Sequence, residues 1–185
     1  MSRGLGDVYK RQSLCRSVEI APASESDFEG DSDAAYGARV FLRHYCVHFA
    51  GPDVRLVTSS FPGDRRAARG FNGDIGQHLE TWNDAFDGTE PANLGQRVAR
   101  KALLATAGLV SVHDSTWTTD RRRAALRWGE LHPDLRRGLD QLLDWATGSA
   151  DANRQQLRRS LDETVAPIAR QFADDIGLWT PTTTE

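Results

Sequence analysis

Residues Pro91–Asp114 read PANLGQRVARKALLATAGLVSVHD, and their spacing sets how the rest of the chain is organised. Pro91 stands where the first turn of a helix tolerates a missing N–H. Leu94, Val98, Leu103, Leu104, Ala107 and Val110 then recur along one side at helical spacing. The stretch predicts a long helix with an apolar side, which needs other helices to cover it.

The flanking sequence supplies them. Ile75, Leu79, Trp82 and Phe86 keep the same period upstream. Downstream, Thr119 is a candidate cap for a helix through Ala124, Leu126 and Trp128. Pro133 opens another, running through Leu135, Leu139, Leu142, Leu143 and Trp145 to Gly148, a residue suited to a left-handed stop. The last segment, 150–177, carries Leu157, Leu161, Val165, Ile168 and Phe172, with Pro167 placed to kink or split it. Residues 59–178 therefore read as a bundle of about five antiparallel helices, and 179–185 as a tail.

Before Thr58 the period changes. Val18 and Ile20 flank Glu19, and Tyr45, Val47 and Phe49 alternate with His44, Cys46 and His48. Both runs predict short strands, with a helix over Ala34–Arg43 between them capped by Asp33. The expected class is α+β: a remnant of a small mixed sheet in 13–58, followed by the bundle.

Residues 1–12 stand apart. Back-translated, Ser2–Gln12 (SRGLGDVYKRQ) resembles a sequencing adapter joined to a transposase mosaic end, so biological sequence is expected to begin at Ser13 with part of the native N-terminus missing. Arg3, Lys10 and Arg11 against Asp7 contribute +2 to a net charge of −3, which leaves −5 for the remainder. A net acidic chain argues against nonspecific or sequence-specific nucleic-acid binding. No apolar run reaches the roughly 18 residues of a membrane span. Two cysteines, Cys15 and Cys46, form no disulfide framework and fit a cytoplasmic protein.

Several residues carry chemistry. His44, Cys46 and His48 would share one strand face, but structural zinc needs a fourth ligand. Glu25, Asp27, Glu29, Asp31 and Asp33 miss the EF-hand spacing and read as a solvated acidic linker. Arg127 and His132 form an Arg-x₄-His spacing that resembles the ribonuclease motif of HEPN domains. Arg43 and His48 repeat it, so it discriminates little. Arg97, Arg100 and Lys101 share one helix, and Arg121–Arg123 open the next. Such groups can face phosphates in a cleft. Neither a P-loop nor a dinucleotide fingerprint is present.

The order SVEIAP, acidic stretch, FLRHYCVHFAGPDV and RVARKALLATAGLVSVHDSTWTTDRRRAA resembles the distal part of polymerase-β-like nucleotidyltransferases, bacterial proteins whose better-known relatives modify aminoglycosides. The resemblance implies transfer of a nucleoside monophosphate from a nucleoside triphosphate to a hydroxyl of a small-molecule acceptor. In that family three carboxylates on a sheet hold two Mg²⁺ ions and a helical domain covers the nucleotide. Glu19 would match the third carboxylate, both catalytic and metal-binding, while Arg97, Arg100 and Lys101 would bind the nucleotide. The family's Gly-Ser turn and Asp-x-Asp pair are missing. Asp31-Ser32-Asp33 lacks that context and follows Glu19, so this chain is expected to be inactive in transfer. The alternative expectation is a non-enzymatic, antitoxin-like helical module that binds a protein partner.

Overall fold

A computed structural model describes residues 22–53, 55 and 61–179. Among them run eight α-helices: α1 Asp33–His44, α2 Arg65–Asn72, α3 Ile75–Asp84, α4 Pro91–His113, α5 Arg121–Leu131, α6 Arg136–Thr147, α7 Arg154–Ser160 and α8 Ala166–Asp175. A 3₁₀ turn at Glu25–Phe28 precedes α1, and a π-helical turn at Leu161–Val165 joins α7 to α8.

The expected sheet is not there. The described residues contain no strand, and the fold class is helical rather than α+β. Tyr45, read as a strand residue, caps the end of α1. Residues 46–49 follow as irregular backbone, with Val47 and Phe49 88% and 98% exposed. The reason lies in side-chain packing. Phe41 and Tyr45 are one helical turn apart, their rings stack at 5.9 Å, and both lie on Phe71 of α2, at 5.9 and 4.6 Å. An isolated strand offers its backbone no such support. The Val18–Ile20 run lies outside the described residues.

The helical expectation fares better. The predicted segments appear as α3, α4, α5, α6 and the α7–α8 pair, whereas α2, over RRAARGFN, has no counterpart among them. Caps fall close to their expected places. Ser32, one residue before Asp33, accepts from Ala35 N, and Asp120, one after Thr119, accepts from Arg123 N. Gly148 ends α6 at φ 74°, the left-handed conformation that glycine adopts without a Cβ penalty. Pro167 has no N–H to give. Just ahead of it the ladder widens, with Ala166 N–H donating to Leu161 O across five residues.

α4 is central. It packs on α2, α3, α5, α6, α7 and α8, and most residues from Leu94 to Ser111 are buried. One apolar side would not have required this. Ala99, Ala102, Ala105, Ala107 and Gly108 make the helix thin, so neighbours approach from several directions. A Cβ on Gly108 would stand 3.2 Å from the Phe172 ring. Each fully buried Leu or Val here contributes about 1.5–3 kcal/mol. No described helix is long and apolar enough to cross a membrane.

α1 joins this body through α2. The helices cross at Gly37 and Gly70, where a Cβ on Gly37 would lie 1.9 Å from the Gly70 carbonyl oxygen.

Candidate functional site

The bundle divides the predicted basic residues. Arg97 and Arg100 are exposed on α4, whereas the Lys101 side chain is largely buried. Its ammonium lies 2.6 Å from Asp74 Oδ1, and His78 Nε2 stands 3.1 Å from the other oxygen of that carboxylate. Lys101 thus ties α4 to the α2–α3 junction. Glu19 lies outside the described residues.

Arg100 meets a different neighbour. Its charge acts on Arg121 at the start of α5, and Arg121 in turn interacts with Tyr45 at the end of α1. Tyr45, Leu103, Thr119, Arg121, Arg122 and Leu143 are among the walls of an open pocket of about 320 Å³. Its floor is apolar and its rim is cationic. Asp120 also lines it, with its carboxylate engaged in capping α5. Among the described residues, no carboxylate lies within ion-pair distance of Arg100, Arg121 or Arg122. Packing around the Arg121 guanidinium, then repulsion from Arg100, lower its pKa, while Tyr45 works the other way. Burial pushes the Tyr45 hydroxyl up to about 12, against the pull of Arg121, so it remains a neutral donor at physiological pH.

Other arginines are committed to structure. Arg154 donates to the Phe86 carbonyl, and Arg158 lies 3.9 Å over the Phe86 ring and donates to Asn83 Oδ1 at 2.8 Å. Those bonds hold α7 to the end of α3. The Arg121 guanidinium, beside Tyr45 and over apolar Leu103 and Leu143, has no carboxylate partner among the described residues, an arrangement that favours an anion.

The remaining candidates disperse. His44 ends α1 against Phe61 and Trp117, whereas His48 Nε2 bonds the Gly51 carbonyl at 2.8 Å in the following loop. With Cys46 they share no strand face. Arg127 bonds Asp114, while His132 packs on Trp128 and meets Gln171, so the Arg-x₄-His pair is not brought to a common centre. Asp31 and Asp33 are held by Arg66 and Arg69. For the Mg²⁺ implied by the nucleotidyltransferase resemblance, the described residues do not fit: they contain no group of three His, Cys, Asp or Glu arranged to hold a metal.

Sequence reasoning did not include Tyr45 in the site because the alternation around it suggested a strand. The available signal was the one-turn spacing of Phe41 and Tyr45. Fold and site together define a helical domain with an open pocket lined by Tyr45, Arg121 and Arg122. No protein-family model matches the chain, and no curated protein or solved structure matches it.

Proposed function

We propose that the chain binds the phosphate groups of a nucleotide at the pocket lined by Tyr45, Arg121 and Arg122, with the charge of Arg100 acting from the neighbouring helix, as the nucleotide-covering part of a polymerase-β-like nucleotidyltransferase working in the cytoplasm. One observation carries the reading. Arg121 and Arg122 line one pocket with Tyr45, the charge of Arg100 on α4 acts on Arg121, and no carboxylate pairs with any of these arginines among the described residues. Bringing two guanidinium groups together without a counter-ion is unfavourable, and a polyphosphate relieves the repulsion while accepting from both forks. The Tyr45 hydroxyl adds a neutral donor, and Lys101 acts by fixing the pitch of α4 through Asp74. Transfer chemistry would need the family's three carboxylates and their Mg²⁺ ions, of which this chain supplies at most Glu19. Binding without transfer is the proposed behaviour.

Titration with a fluorescent ATP analogue tests it. Arg100→Ala and Arg121→Ala should each weaken binding by about tenfold, equivalent to one lost charge-assisted bond. Absence of saturable binding, or unchanged affinity in both variants, overturns the reading. Nucleotide transfer with ATP and Mg²⁺ would contradict the inactive state.

A second reading, the antitoxin-like module, is favoured by one surface. Phe41 is 47% exposed beside the nearly bare Val47 and Phe49, an apolar edge suited to a protein partner. A copurifying polypeptide that a Phe41→Ser/Phe49→Ser variant loses, in a chain that ignores ATP, would put this reading first.

A further inference from the structure

Trp117 ties two groups of buried side chains together. It packs on the main core and on the smaller cluster of Val40, Phe61 and Ala67 where α1 meets α2. The last turn of α1 reaches it through His44, whose ring lies 5.3 Å from the indole and 6.2 Å from Phe61. That contact is polar on both sides and satisfied on neither. His44 Nε2 and Trp117 Nε1 are shielded from solvent, and neither has a hydrogen-bond partner among the described residues. Buried polar atoms without partners weaken the packing around them, and a charge placed there weakens it further.

The surroundings leave such a charge unanswered. A cation in the last turn of a helix is ordinarily favoured, but at His44 burial outweighs this, and Arg43 on the same helix adds repulsion. The backbone at Phe61 works the other way. α2 presents Ala67 and Phe71 to this side, while its Arg66 and Arg69 are held by Asp31 and Asp33. In the loop after α1, Arg55 pairs with Asp53 and His48 bonds the Gly51 carbonyl. At the start of α5, Arg121 acts on Tyr45. The carboxylates that meet histidines among the described residues are Asp74 and Asp114, at His78 and His113, and none lies within ion-pair distance of His44.

α1 is held unevenly. The Asp33–Arg69 pair and the Gly37–Gly70 crossing fix its first half, whereas its last turn rests on rings, with Phe41 and Tyr45 on Phe71 and His44 on Trp117. Tyr45, next to His44, is a wall of the phosphate pocket. We infer that His44 is an acid-operated latch: a proton on its ring releases the last turn of α1 from Trp117 and draws Tyr45 out of the pocket, while the bundle stays folded. The release stands on the packing alone, and its effect on a ligand rests on the nucleotide reading above. Openings of one turn at less than the cost of global unfolding are a general property of helical proteins.

Residue-resolved amide hydrogen exchange near pH 7 and near pH 5.5, corrected for intrinsic rates, tests the latch without any ligand. Protection of residues 41–45 should fall by about tenfold relative to α4, the ratio of charged to neutral ring in a released turn one pH unit below 6.5. His44→Phe should abolish the difference, and His48→Gln should leave it. Equal protection at both pH values in the parent chain overturns the inference, as does a loss shared by α4 or an acid response that survives in His44→Phe. The fluorescent ATP analogue then reads the coupling: between the same two pH values the parent should lose about tenfold more affinity than His44→Phe. Equal losses overturn the link to the pocket. Absence of binding at both pH values overturns the nucleotide reading, and exchange alone then decides the latch.

Discussion

The Lys101 ammonium lies 2.6 Å from Asp74 Oδ1, joining the middle of α4 to the junction of α2 and α3, and both side chains are about four-fifths buried. Lys101→Met would leave Asp74 with only His78 in a half-dry site. The expected loss is about 2 kcal/mol, below the range for fully buried pairs because some solvent reaches this one. The urea midpoint should fall with an unchanged slope. Arg121→Ala should do the opposite, lowering nucleotide affinity with little change in midpoint. If Lys101→Met abolishes binding while stability is untouched, its part is direct contact with phosphate.

Gly37→Ala should be among the most disruptive substitutions in α1. The new Cβ would meet the Gly70 backbone carbonyl, which cannot rotate away as a side chain can. Separating the helices would cost on the order of 3 kcal/mol. Loss of the near-ultraviolet signal of the Tyr36, Phe41 and Phe71 cluster, with far-ultraviolet helicity largely retained, would report α1 leaving α2. An unchanged thermal midpoint would count against the close crossing.

Spectrophotometric titration should single out Tyr45 among the three tyrosines of the chain. Its hydroxyl ionises near 12 because burial penalises the phenolate. A folded pKa above the ordinary value of 10 means that its contribution to stability is complete below pH 10 and is lost as pH rises towards 12. Tyr45→Phe should remove the highest-pH component of the absorbance change and leave the others. A variant that titrates like the parent would show Tyr45 to be solvent-exposed.

His44 should make the fold sensitive to mild acid. Burial first, with the Arg43 charge adding, holds its pKa below 6.5, against a backbone bond at Phe61 that works the other way. The neutral ring is the folded form, so stability is full above pH 6.5 and falls as acid charges the ring in the unfolded chain before the folded one. The thermal midpoint should drop between pH 7 and 5. His44→Phe, which keeps a ring against Phe61 and Trp117, should flatten that drop. An identical slope in the variant would assign the effect to other groups.

Much of the bundle was legible locally. Ile75, Trp82 and Phe86 are buried as their spacing predicts, Gly148 ends α6, and Pro167 coincides with the break between α7 and α8. Each is a property of one segment: a period, a missing N–H, a missing Cβ. The candidate site was legible only as a list of cations. Nothing in RVARKALLATAG says that Lys101 meets a carboxylate while Arg100 meets another arginine, because both partners come from other helices.

By itself, the sequence determined where the long helices lie and which sides of them are apolar, since those features depend on hydrogen bonds and spacing within a segment. Tertiary structure decided three other matters: that Tyr45 closes a helix instead of entering a strand, that α4 is enclosed by six helices, and which charges are neutralised. The physical reason is common to all three. A ring finds its stacking partner, a thin helix its neighbours and an ammonium its carboxylate only after distant segments pack. Tyr45 on Phe71 and Lys101 on Asp74 are where that packing, more than local pattern, set the conformation.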